Sequence, residues 1–246
     1  MYARRRCAQE ARGDLIAFLD DDNIPADDFV AQAIAVMARH PEAGLAGGKV
    51  IAEWLGQPTP LGEAAATRVL AIRDLGDQPF AYPDITGGPD TAGMVIRTRV
   101  LRDVLAEPEL ARKVTGRTGP SLVSGEDTAI VIRTHQMGLA CRYEPSLVIR
   151  HRLSAERTTL DYLLRLYEGV GRGQASMRPL YDAKARNPVL AILIALKEGG
   201  RWVLGQVRGA SAAERRTYGE LADDFHRLHQ AQTWGRFRQG LREPFR

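Results

Sequence analysis

The chain has 246 residues, 44% of them hydrophobic and 26% charged, with 24 glycines and 13 prolines. That length suits one domain, or one domain with a small extension, and can bury a substantial core. The composition excludes a disordered tail, a collagen-like rod and a coiled-coil filament, and two distant cysteines, Cys7 and Cys141, argue against a disulfide scaffold or a cysteine zinc site.

A net charge of +4 admits phosphate-bearing partners without identifying one, and no nucleic-acid partner is expected. Basic residues cluster at Arg4, Arg5, Arg6 and Arg12 and again in the C-terminal part, a pattern that most simply reads as solvated surface. Arg4 to Arg6 run into polar sequence, not into the apolar stretch of a signal peptide. No run reaches the roughly 20 apolar residues that span a bilayer, and Val189 to Leu196 is broken by Lys197, Glu198, Gly199 and Gly200. A soluble or surface-bound cytoplasmic protein is expected, with a peripheral seat at the inner face of the cell membrane as the alternative.

In chain order, DLIAFL (14–19) reads as a short buried strand ending in three aspartates. Pro25 and the acidic residues after it read as a helix start, with Phe29, Ala33, Ile34, Met37 and Ala38 on one face. LAGGKVIA (45–52) is a second strand, a helix is expected over about 61–75, and a Pro, Gly and Asp loop (76–91) leads to AGMVIR (92–97) as a third strand. After a polar loop (107–123), a helix is expected over about 126–137, closed by Gly138. CRYEPSLVIRH (141–151) follows as a strand broken at Pro145. Alternating strands and helices argue for an α/β domain with a largely parallel or mixed sheet over 1–157. Beyond about 158 the pattern is helical, so 158–246 reads as a helical extension.

Asp20, Asp21 and Asp22 repel one another, and an open α/β sheet binds ligands at the ends of its strands. Alternate carboxylates there suit Mg²⁺ or Mn²⁺ bridging a diphosphate, and the competing reading is an acidic turn in which Asp22 or Asn23 caps the next helix. In Ser124-Gly125-Glu126-Asp127, Ser124 and Asp127 fit a capping box, while the functional alternative makes Asp127 a general base kept ionised by a helix N-terminus. His151, flanked by Arg150 and Arg152, is either a structural histidine or a metal or phosphate contact. Gly87-Gly88 and Gly93 mark places where backbone can approach a ligand. GVGRG (169–173) follows a helical pattern and fails as a phosphate loop.

Taken together, ARGDLIAFLDDDNIP, TAGMVIRTRVL and SGEDTAIVIRTHQMGLACRYEPSLVIRH resemble the family 2 glycosyltransferases, over about residues 3–152. The resemblance implies a GT-A-type (Rossmann-like) mixed sheet and a nucleotide-sugar donor. It also implies a saccharide or lipid-linked acceptor and transfer with inversion. By it, Asp20 and Asp22 match the DxD element and, with His151, would hold the metal, Asp22 most directly, while Asp20 and Asp21 would also contact the donor, and His151 matches a position near the metal or diphosphate. Asp127 matches the catalytic base, while Glu126, Gly93, Met94 and Arg4 would contact substrates. Family members usually begin well upstream with a strand and helix that hold the nucleotide, so this sheet is expected to be N-terminally incomplete, with an open edge and exposed apolar surface. Arg5 and Cys7 stand where the family usually has Asn and Gly, and the Gln-x-x-Arg-Trp signature of processive members is not found, which implies a single-sugar transferase. Two other readings compete: a non-catalytic remnant that binds a partner or membrane, and a haloacid dehalogenase-type phosphatase with Asp20 as nucleophile. The segment 188–207 combines an apolar run with Lys197, Arg201 and Trp202 and reads either as a membrane-surface helix or as one packed on the core.

Overall fold

The structure is a computed structural model that describes residues 2–107, 110, 122–123 and 125–242. The chain divides into two compact units: an α/β unit of 1–55, 66–113 and 126–153, and a largely helical unit of 56–65, 114–125 and 154–246. Ser124 and most of the 107–123 loop lie outside the described residues, so the expected capping box does too.

The α/β unit contains α1 (Tyr2–Glu10), β1 (Leu15–Ala17), β2 (Asn23–Pro25), α2 (Phe29–Arg39) and β3 (Ala43–Leu55). They are followed by α3 (Pro60–Val69), which begins in the helical unit, then β4 (Phe80–Ala81), β5 (Val95–Arg97), α4 (Thr98–Ala106), α5 (Glu126–Gln136) and β6 (Ala140–Ser154). The sheet runs β1-β5-β3-β6-β2, with β4 also on β6. The pairings β1–β5, β3–β5, β2–β6 and β4–β6 are antiparallel. The alternation of elements therefore gives a mixed α/β fold of GT-A type, and not a largely parallel sheet.

The core packs Phe29, Ala33, Val36 and Met37 of α2 against Ala43, Ala46 and Val50 of β3, Val95 of β5, and Leu147 and Ile149 of β6. The buried face of α2 is thus turned by about one residue from the expected one: Ile34 is 59% exposed, and Ala38 is exposed. Pro25 does not start that helix. Ala26 N–H donates to Val148 O, and Asn23, Ile24 and Pro25 pair with His151, Arg150 and Ile149, so residues 23–26 are held against β6 and the helix begins only after Asp28. β6 runs unbroken through Pro145, which falls between the stretch paired with β4 and the stretch paired with β2, where a missing N–H costs no ladder bond to either strand. Gly138 (φ +76) ends α5 as expected, and α1, α4, β2 and β4 are elements that the residue pattern did not reveal.

The helical unit contains α6 (Leu160–Tyr181), α7 (Pro188–Arg208), α8 (Ala212–Tyr218) and α9 (Ala222–Gly240). GVGRG lies inside α6 and serves packing: a Cβ on Gly171 would stand 2.0 Å from the carbonyl oxygen of Gln232 in α9, so the two backbones touch only because it is glycine.

Candidate active site

The aspartate turn follows β1. Asn23 N–H donates to Asp20 O (3.0 Å), Asp20 N–H donates to Asn23 Oδ1 (3.2 Å), and Asn23 Nδ2 donates to Asp22 Oδ1 (3.1 Å). Asn23 thereby folds the acidic turn back on itself. The residue before α2 is Asp28, so neither Asp22 nor Asn23 caps that helix and the capping alternative falls away. Asp20 and Asp21 are exposed and Asp22 is half-buried.

The β2–β6 register sets the next contact. Pairing of Asn23 with His151, together with Arg152 N–H donating to Asp22 O (2.8 Å), brings His151 Nε2 to 3.4 Å from Asp22 Oδ2. His151 is only 7% exposed. Of the two, the Asp22 carboxylate is the hard donor that suits Mg²⁺ or Mn²⁺, and the imidazole is the softer one. Among the described residues no three His, Cys, Asp or Glu side chains gather to hold an ion, so such a cation needs a substrate diphosphate and water for its remaining positions.

The other half of the site centres on Arg4, on α1. Its Nε lies 3.3 Å from Glu126 Oε2, its guanidinium sits 5.4 Å from the Phe18 ring centroid, and its Nη2 donates to Thr91 Oγ1 at 3.5 Å. Its Nη1 is buried without a hydrogen-bond partner among the described residues. One side chain thus ties the strand end leading into Asp20–Asp22 to the N-terminus of α5, where Glu126 and Asp127 stand. Between them, Phe18 N–H donates to Met94 O (2.8 Å) and Gly93 N–H to Phe18 O (3.0 Å). Gly93 has φ +76, and a Cβ there would lie 2.4 Å from Ile149, so no other residue fits. The Met94 side chain is wholly buried, and its part here is confined to its backbone.

Asp127 is half-buried and accepts from Thr128 N–H (2.8 Å). Burial, and then the nearby Asp90 charge, push its carboxyl above the ordinary carboxylate range against the opposing pull of Thr128 N–H and Arg4. The helix N-terminus expected to keep it fully ionised is outweighed. Sequence reasoning missed Asp90 and its partner Arg73, whose Nε and Nη2 donate to Asp90 Oδ2 at 3.1 and 2.8 Å. Arg73 is held by two backbone hydrogen bonds with Val50. Tyr82 belongs to the same group, its phenol pushed up to about 12 by burial. The Gly-Gly-Pro-Asp stretch at 87–90, just before the Ala92-Gly93-Met94 turn that leads into β5, was the only signal for Asp90.

Residues 1–105 match the family described as Glycosyl transferase family 2. The chain is also 25% identical over 164 residues to a glucosyl-dolichyl phosphate glucuronosyltransferase of Haloferax volcanii, covering 66% of this chain and 50% of the relative. It therefore spans about half the length of that curated relative. The family match ends before Asp127 and His151.

Proposed function

We propose that this chain transfers a sugar from a nucleotide-sugar donor to an acceptor hydroxyl, with inversion and without processive elongation. The observation that carries this reading is Arg4, which joins the approach to the aspartate turn with the Glu126–Asp127 helix start in one unit.

Asp127 takes the proton of the acceptor hydroxyl. Its raised proton affinity makes it a stronger base than an ordinary surface carboxylate. The acceptor oxygen forms its bond to the anomeric carbon on the face opposite the departing diphosphate, which leaves with the electron pair of the broken C–O bond. Mg²⁺ or Mn²⁺ held by Asp22 and His151 would neutralise charge on that diphosphate when bound. Arg4, whose buried Nη1 has no hydrogen-bond partner among the described residues, adds a fixed positive charge beside it. Asp20 and Asp21, exposed on the turn, face the donor, and Glu126 holds Arg4.

The name of the archaeal relative supports a lipid-linked acceptor and a glucuronic acid donor as the first substrates to try. Calorimetry of the full chain with UDP, GDP and dTDP plus Mn²⁺, followed by transfer of labelled sugar to polyprenyl-phosphate-linked glucose, tests the proposal. Metal-dependent binding of one nucleotide and an acid-labile labelled product are expected. A folded chain that binds no nucleotide with or without Mn²⁺ would leave the non-catalytic reading in its place.

A further inference from the structure

The outer face of α7 belongs to no part of the proposed catalytic machinery. At 100° per residue, Val203, Leu196, Val189, Val207, Leu193, Leu204 and Leu190 fall within an arc of about 140°. All seven are exposed, from 40% for Leu190 to 82% for Val207. The opposite face is fully engaged. Ala195, Glu198 and Gly199 are buried, Trp202 stacks on Trp234 at 4.6 Å, and His226 Nε2 lies 3.0 Å from Gly205 O. Trp202 is therefore turned inward and does not act as the interfacial anchor that the sequence suggested.

Charge on this helix is one-sided. Its single acid, Glu198, is buried between Arg201 (3.1 Å) and Arg236 (3.0 Å). Lys197 lies inside the apolar arc and Arg208 at its margin, both exposed, and Lys184 is exposed on the turn that leads into the helix. No helix among the described residues is long and apolar enough to cross a membrane. An exposed arc of Leu and Val, carrying Lys and Arg and no free carboxylate, is complementary to a surface that is apolar within and negative at its rim.

We infer that α7 lies flat on an anionic lipid surface, with Leu193, Leu196 and Val203 in the acyl boundary and Lys197 and Arg208 among the headgroups. The long lysine stem lets Lys197 reach the phosphates from within the arc. This inference goes beyond the catalytic reading and does not depend on it.

Flotation of the full chain with vesicles of phosphatidylglycerol and phosphatidylcholine, against vesicles of phosphatidylcholine alone, is the test. The wild type is expected to float with the anionic vesicles and far less with the neutral ones. Leu193→Gln/Leu196→Gln/Val203→Gln should lower the affinity by at least about tenfold. Lys197→Glu and Arg208→Glu should each cost about fivefold on anionic vesicles only. Because these side chains are exposed, circular dichroism and thermal melting of every variant should match the wild type. Failure of the folded wild type to float would overturn the inference, as would unchanged flotation of the triple variant. A lipid-free dimer that the triple variant disperses would instead assign the face to a second copy of the chain.

Discussion

Two carboxylates show how differently the two units treat charge. In the α/β unit, Asp127 is burdened by burial and by the like charge of Asp90, and its affinity for a proton is raised. In the helical unit, burial also works against Glu214, but the Ser211 N–H, His229, the Ser211 hydroxyl and His226 overcome it and bring its carboxyl down to about 2. Its geometry is that of a capping box: Ser211 N–H donates to Glu214 Oε2 at 2.7 Å, and His229 Nδ1 lies 3.1 Å from Oε1. A group held to stabilise the fold is saturated with donors, whereas Asp127 is left with raised proton affinity, the property that the proposed base role draws on.

The largest test of this contrast is Asp127→Asn, which should lower sugar transfer by about a thousandfold while nucleotide binding with Mn²⁺ stays nearly unchanged. Equal loss of binding would move Asp127 from base to ligand. Within the helical unit, Gly171→Ala should cost about 2 kcal/mol in chemical denaturation, because its methyl group meets a backbone carbonyl that cannot move aside. Gly200→Ala, where nothing stands within 4 Å, should instead gain up to about 1 kcal/mol. Glu214→Gln should cost about 1 kcal/mol at neutral pH. Since the folded carboxyl titrates near 2 and an unfolded glutamate near about 4.3, that stabilisation is complete above the unfolded value and fades as pH falls through the folded one. Melting curves of wild type and variant should therefore converge in acid.

The subtlest test concerns the acid limb of the transfer rate. A base must be deprotonated to act, so a raised proton affinity places that limb above the usual carboxylate range. Asp90→Asn removes a repelling charge and should shift the limb to lower pH. Arg4→Gln removes an attracting one and should shift it to higher pH. Profiles that moved together would show that the two residues act through structure and not through charge.

Local chemistry made much of this legible. The strand within DLIAFL, the α5 segment with its Gly138 end and the helical character beyond 158 all stood out, because apolar periodicity and a helix-ending glycine act within a few residues, although β1 is only half-buried and not the buried strand expected. What escaped depends on distant partners. Nothing near Pro25 says that β6 will claim residues 23–25, so a sequence that looks like a helix start becomes an edge strand. α4 hid behind the strand before it, although Val100, Leu101, Val104 and Leu105 lie on one buried face. Asp90 and Arg73, seventeen positions apart, meet only because Val50 holds Arg73 to β3. The exposed face of α7 was half legible: the apolar run was plain, but which side would meet α9 was not.

The short ladder between β2 and β6 has a consequence for how this chain tolerates change. Only three residue pairs fix Asp22 beside His151, while more than a hundred positions separate them in the chain. Lengthening or trimming the intervening loops leaves the two side chains together. Slippage of the ladder by a single position would turn the imidazole to the opposite side of the sheet and take it out of reach. The α/β unit can thus vary widely in outline while alignment at one seam decides whether the Asp22 carboxylate and the His151 imidazole meet.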